Sequence, residues 1–103
     1  MAEHLIKFSE YKWENTMDGV RCKIYRDGGK QLRLVEYTSE MQPHWCDKGH
    51  YGYILAGEFE IEYPQETVLY TSGDGVFIPE GPRHRHRAKV ISKSVTAVFV
   101  EEI

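Results

Sequence analysis

Hydrophobic and polar positions alternate along this chain in short runs that glycine and proline interrupt every few residues. Val20 to Tyr25 is the first clear run, and Arg26-Asp27-Gly28-Gly29 supplies residues that tolerate positive φ, so a hairpin to Gln31–Thr38 follows. Met41 to Cys46 is a further short run; Pro43 within it places it at a sheet edge or starts it after the proline. Tyr51 to Ala56 is apolar and aromatic and stops at Gly57. Glu58-Phe59-Glu60-Ile61-Glu62-Tyr63 then alternates without a fault, putting Phe59, Ile61 and Tyr63 on one face and the three glutamates on the other. Pro64 to Glu66 turns the chain and Thr67 to Thr71 returns it. Gly73-Asp74-Gly75 bends it before Val76-Phe77-Ile78, and Pro79-Glu80-Gly81-Pro82 is another turn. Arg83 to Val90 and Ser94 to Val100 are the last expected strands. Helix signals are nearly absent, so the pattern predicts an antiparallel all-β sandwich or barrel. The run Val95 to Val100 is apolar on both faces and calls for cover on both sides.

Length and composition narrow the picture. One domain over 1–103 is the expectation for 103 residues, and 41% hydrophobic, 13% aromatic and 28% charged residues exclude a disordered chain, a collagen-like repeat and a coiled coil. No apolar run approaches the roughly 18 residues of a membrane span, and Met1 to Glu10 lacks the basic-then-apolar order of a signal peptide. A cytoplasmic protein with no membrane partner is expected. Thirteen Lys and Arg against sixteen Asp and Glu give a net charge of -3. Although Arg83 to Lys89 is basic, the neighbouring strand carries Glu58, Glu60 and Glu62, and no nucleic-acid partner is expected. Cys22 and Cys46 are expected to be free or metal-bound rather than bridged in a reducing compartment.

The chemistry concentrates in two blocks. In Pro43-His44-Trp45-Cys46-Asp47-Lys48-Gly49-His50, His44 and Cys46 project from one face of an extended segment, and Gly49 lets the chain bend His50 beside them. All three are metal-ligand types. In Arg83-His84-Arg85-His86-Arg87, a period of two sends both histidines one way and the three arginines the other. Taken singly, such a histidine is usually a surface or satisfied core residue and such a cysteine a small buried hydrophobe. Their grouping in two glycine-bounded blocks favours a metal. His86 is a candidate general base or a structural neighbour of His84. No Ser-His-Asp order, Cys-x-x-Cys pair, phosphate loop or dinucleotide fingerprint is present.

The two blocks resemble the paired motifs of the cupin superfamily. His44-x-Cys46, three residues, His50, six residues and Gly57 (44–57) keep the spacing of the first motif, with cysteine and histidine where the family has histidine and glutamate. Gly73, Pro79, Gly81 and His84 keep the second (73–88), with Ala88 where asparagine is expected. More narrowly, Trp45-Cys46 and Lys48-Gly49-His50 are similar to a subgroup of small cupins of unknown function. The resemblance implies a cupin-type double-stranded β-helix, a jelly-roll barrel, and a divalent metal on His44, Cys46, His50 and His84. A cysteine with three histidines suits tetrahedral zinc, with Fe, Ni, Mn or Cu as alternatives, and four strong ligands would close the shell against turnover. Two other readings stay open: a three-histidine iron dioxygenase-like site on His44, His50 and His84, and a ligand or redox sensor without catalysis. Trp45, Tyr51, Tyr53 and His86 are candidates to line a small-molecule pocket at the barrel mouth. The doubly apolar strand, with paired barrels in the family, leads to the expectation of a homodimer; the alternative is cover within one chain by a loop or by the N-terminal segment around Leu5, Ile6 and Phe8.

Overall fold

The computed structural model describes residues 4–103, so the first three residues of the Met1–Glu10 stretch lie outside the description. Strands β1 (Glu14–Met17), β2 (Val20–Asp27), β3 (Lys30–Thr38), β4 (His50–Ala56), β5 (Glu58–Glu62), β6 (Thr67–Thr71), β7 (Gly75–Ile78), β8 (Arg87–Val90) and β9 (Ser94–Glu102) carry the fold. The helical elements among the described residues are two single 3-10 turns, at Phe8–Glu10 and Pro82–His84. None is long and apolar enough to cross a membrane.

The strands form two antiparallel sheets, one of six strands in the order β1-β2-β3-β9-β4-β7 and one of three in the order β6-β5-β8. This is the all-β jelly-roll arrangement that the alternation and the motif resemblance predict. Gly28 and Gly29, with φ of 59° and 77°, close the β2–β3 hairpin, whose two-residue turn needs positive φ at both positions. The strand β9 enters the middle of the large sheet, pairing with β3 on one side and β4 on the other. Its alternate residues Val95, Ala97, Phe99 and Glu101 turn inward and are buried, while Val98 and Val100 face outward.

The inward residues of both sheets meet in one core of Val20, Cys22, Val35, Ile54, Phe59, Ile61, Val76, Ile78, Val90, Val95, Ala97 and Phe99. Phe59 of the small sheet stacks on Tyr37 of the large one, with ring centroids 6.1 Å apart, and so ties the two layers together. The expected faces of β5 hold: Phe59 and Ile61 are buried and Tyr63 packs against the core just beyond the strand.

Two segments depart from the expectation. Met41–Cys46 is not a strand; Cys46 alone makes an isolated antiparallel bridge, to His86. Arg83–Val90 is not continuously extended either, because Pro82 starts a 3-10 turn that runs through His84. That turn breaks the period of two between His84 and His86.

Candidate metal centre

The bridge that interrupts those two segments builds the site. The Cys46 N–H donates to the His86 carbonyl at 2.8 Å, and the His86 N–H donates to the Cys46 carbonyl at 3.0 Å, so the two side chains start from adjacent backbone. His50 is the first residue of β4. It follows the buried Gly49, where a Cβ would come within 2.8 Å of the Ile78 carbonyl oxygen, so only a glycine lets β4 begin this close to the end of β7.

One ligand atom each from Cys46, His50 and His86 lies within 4.8 Å of the other two. The rings of His50 and His86 meet edge to face, with centroids 4.9 Å apart. Each imidazole is oriented through Nδ1: that of His86 lies 3.0 Å from the His84 carbonyl oxygen, and that of His50 contacts the Glu101 carboxylate. With Nδ1 donating, Nε2 of each ring carries the free lone pair, the form a metal requires. The Lys48 N–H donates to the Cys46 Sγ at 3.4 Å and helps to orient it. Burial lowers the His86 pKa, which favours the neutral ligand form. The donor set therefore fits a borderline-soft divalent ion.

Behind His50 stands a second layer that the motifs do not contain. The Glu101 carboxylate accepts hydrogen bonds from Arg33 Nε at 2.9 Å, Arg33 Nη2 at 2.8 Å and Gln31 Nε2 at 2.6 Å, besides its contact with His50. Burial by itself would push this carboxyl up, but the hydrogen bonds from His50, Arg33 and Gln31, together with the Arg33 charge, hold its pKa at about 2. Arg33 also donates to the Tyr37 hydroxyl at 3.5 Å, and burial raises the pKa of that hydroxyl.

The cluster opens onto a cavity of about 180 Å³ whose walls include Met41, Phe59, Ile61, Val76, Ile78 and Phe99, with Arg33, Arg87, Thr16 and His44 as further polar lining. Of the residues singled out in the sequence, the structure brings Cys46 and His50 together. His44 lines the same cavity from an exposed position, its Nδ1 3.3 Å from the Gln42 carbonyl oxygen, outside the close group. His84 and His86 exchange places relative to the sequence reading. The 3-10 turn leaves His84 in a separate hollow with Tyr63, Glu66 and Arg83, and His86 is the histidine beside Cys46. Tyr51 and Tyr53 are not in the cavity lining; Tyr51 packs on Phe77, at 4.6 Å between centroids, and Tyr53 is half exposed. They lie one and three residues beyond the inward-facing His50, so the pleat carries them to the other side of the sheet. Trp45 is also outside the lining; the guanidinium groups of Arg85 and Arg87 lie over its ring, 5.1 and 4.8 Å from the centroid.

A family model described as the cupin domain matches residues 32–100, a span that contains Cys46, His50 and His86. Solved structures similar to this chain include an RmlC-like cupin from Shewanella frigidimarina (15% identity, TM-score 0.76, covering 98% of this chain and 91% of that one). KdgF from Halomonas sp. is similar at 18% identity and TM-score 0.73, over 99% of this chain and 96% of that one. The polyketide cyclase RemF from Streptomyces resistomycificus is similar at 17% identity and TM-score 0.78, over 98% and 80%. No curated relative matches the chain.

Proposed function

The chain belongs to the cupin family, and from that premise we propose that it binds one divalent ion, zinc by preference, through Cys46, His50 and His86, with a small molecule admitted to the cavity beside it. The observation that carries this reading is the convergence of one thiol and two imidazoles to within 4.8 Å, each imidazole with Nδ1 engaged. Two nitrogens and a sulfur suit zinc better than the oxygen-rich sets that suit magnesium or calcium. His44 lines the cavity and is the candidate for a fourth ligand; without it the shell keeps an open position. An ion in such a shell supplies Lewis acidity to whatever enters the cavity. Of the chain's own residues, Glu101 and Arg33 fix the His50 ring, and the apolar walls exclude water. The close group contains Cys46 and neither His44 nor His84, so a three-histidine iron site has less support.

Cobalt(II) titration followed by absorbance tests the proposal. A thiolate-to-cobalt charge-transfer band that saturates at one ion per chain, and that is absent from Cys46→Ser, is expected. Saturation without such a band would remove Cys46 from the ligand set.

We propose a homodimer as well, formed on the outer face of the large sheet. Register pairs Phe77 with Tyr51, Tyr51 with Val100, Val100 with Leu32 and Leu32 with Tyr25, an uncharged row across five strands. Beside it run Tyr53, Val98 and Leu34. Phe77 is 79% exposed at one end of that row. An exposed apolar row of this kind can be covered by a second copy about a two-fold axis.

A further inference from the structure

We propose that the cavity receives a small apolar molecule bearing one carboxylate, and that Arg33 is the anchor for that carboxylate; the inference rests on the reading of Cys46, His50 and His86 as a divalent-metal site. Arg33 lines the cavity with a side chain only 14% exposed. Its Nε and Nη2 are committed to Glu101 and its Nη2 also reaches Tyr37, but among the described residues Nη1 donates to nothing. Every fully buried side-chain nitrogen and oxygen among the described residues has a partner, so Nη1 borders open space. A guanidinium nitrogen with free N–H donors in a largely apolar hollow suits one carboxylate oxygen.

The charge balance points the same way. Glu101 offsets Arg33, and Glu62 offsets the other lining cation, Arg87, whose Nε donates to it at 2.7 Å. A divalent ion held by one thiolate then leaves one positive charge without a counterpart. A cationic ligand would find no open carboxylate, because both Glu101 oxygens already accept: Oε1 from Gln31 and Arg33, Oε2 from Arg33 and His50. Size limits the rest of the molecule. An apolar cavity of roughly 150 Å³ holds a benzene ring, so about 180 Å³ admits a six-membered ring or branched chain with its carboxylate.

Benzoate and its neutral isostere benzamide are the probes, titrated calorimetrically into the zinc-loaded protein. The expected result is that benzoate binds at least about tenfold more tightly than benzamide, the preference a charge-assisted hydrogen bond gives. Arg33→Met should abolish the preference and Arg33→Lys should keep part of it. Because Arg33 also supports Glu101, and a bound ion can itself take a carboxylate, the two probes are also compared on the chelator-stripped unaltered protein, where a retained preference for benzoate is expected and its loss overturns the Arg33 anchor even where Arg33→Met does not fold. Equal affinity for both probes, or no binding of either, in protein that shows the cobalt-thiolate band overturns the inference and leaves the metal reading standing. Preference for benzoate in protein that lacks the band supports the Arg33 anchor and overturns the metal reading instead.

Discussion

Replacing Glu101 by glutamine tests the arrangement that holds His50, and its cost can be worked from the structure. The carboxylate is 7% exposed, carries the bidentate pair with Arg33, whose side chain is 14% exposed, and touches His50. Removing one member of a buried ion pair leaves the other charge uncompensated, which costs about 3–5 kcal/mol. The pH dependence gives an independent figure. The folded carboxyl sits at about 2 against an ordinary value of 4.5, and at about 1.4 kcal/mol per factor of ten this stabilises the fold by about 3 kcal/mol at neutral pH. The folded pKa is depressed, so this stability is present above 4.5 and is lost as pH falls toward 2. About 2 kcal/mol of it is gone by pH 3. Urea unfolding of the wild type and Glu101→Gln, at pH 6 and pH 3, should therefore show a gap of about 3–5 kcal/mol that narrows by about 2 at the lower pH. A gap that stays constant between the two pH values would refute the assignment of a charged Glu101 bound by Arg33 and His50, because a merely steric effect of the substitution does not titrate.

The other predictions concern the ion and the outer face. His86→Ala should abolish the cobalt-thiolate band and His84→Ala should leave it intact; the reverse would return the ligand set to the one read from motif spacing. Cys46→Ser should lose metal by elemental analysis, whereas Cys22→Ser, at a site 1% exposed, should keep metal and lose about 1–3 kcal/mol of stability from its buried hydroxyl. Stripping the metal with chelator should lower Tm by about 10 °C or more, since a ligand at 100 times its Kd contributes about 2.7 kcal/mol; an unchanged Tm would mean that the ion binds folded and unfolded chain alike. Sedimentation equilibrium should give twice the 12.0 kDa chain mass, with Val98→Glu shifting the protein to monomer; a monomer in the unaltered protein would discard the sheet-face dimer.

The strands were legible where alternation and turn chemistry agree. Phe59 and Ile61 alternate with glutamates and end up buried against the second sheet, and Gly28-Gly29 makes the hairpin turn it announces. Where local pattern and tertiary contact disagree, contact prevails. Met41–Cys46 has strand-like residues, but Pro43 cannot donate to a ladder and only Cys46 finds a partner, in His86. The strand β1 escaped notice because Glu14–Met17 is exposed along its whole length and so carries no hydrophobic alternation; β2 alone specifies it by pairing.

The site divides along the same physical line. Cys46 and His50 lie close in sequence around a glycine, and local spacing was enough to group them. The partner from the second block depended on whether Arg83–His86 is extended. In an extended segment His84 and His86 would point the same way, and motif spacing would select His84. Pro82 fixes φ for the first position of a 3-10 turn, the turn consumes His84, and His86 arrives at the bridge instead. Glu101 and Arg33 belong to no motif, yet both fall in phase with buried positions: Glu101 continues the inward series Val95, Ala97, Phe99, and Arg33 sits two residues before the buried Val35. A charge in phase with a core is either paired or functional. Here the two charges pair with each other across β3 and β9. Their pairing leaves Glu101 enough remaining valence to fix the His50 ring and leaves Arg33, which lines the cavity, one nitrogen without a partner among the described residues.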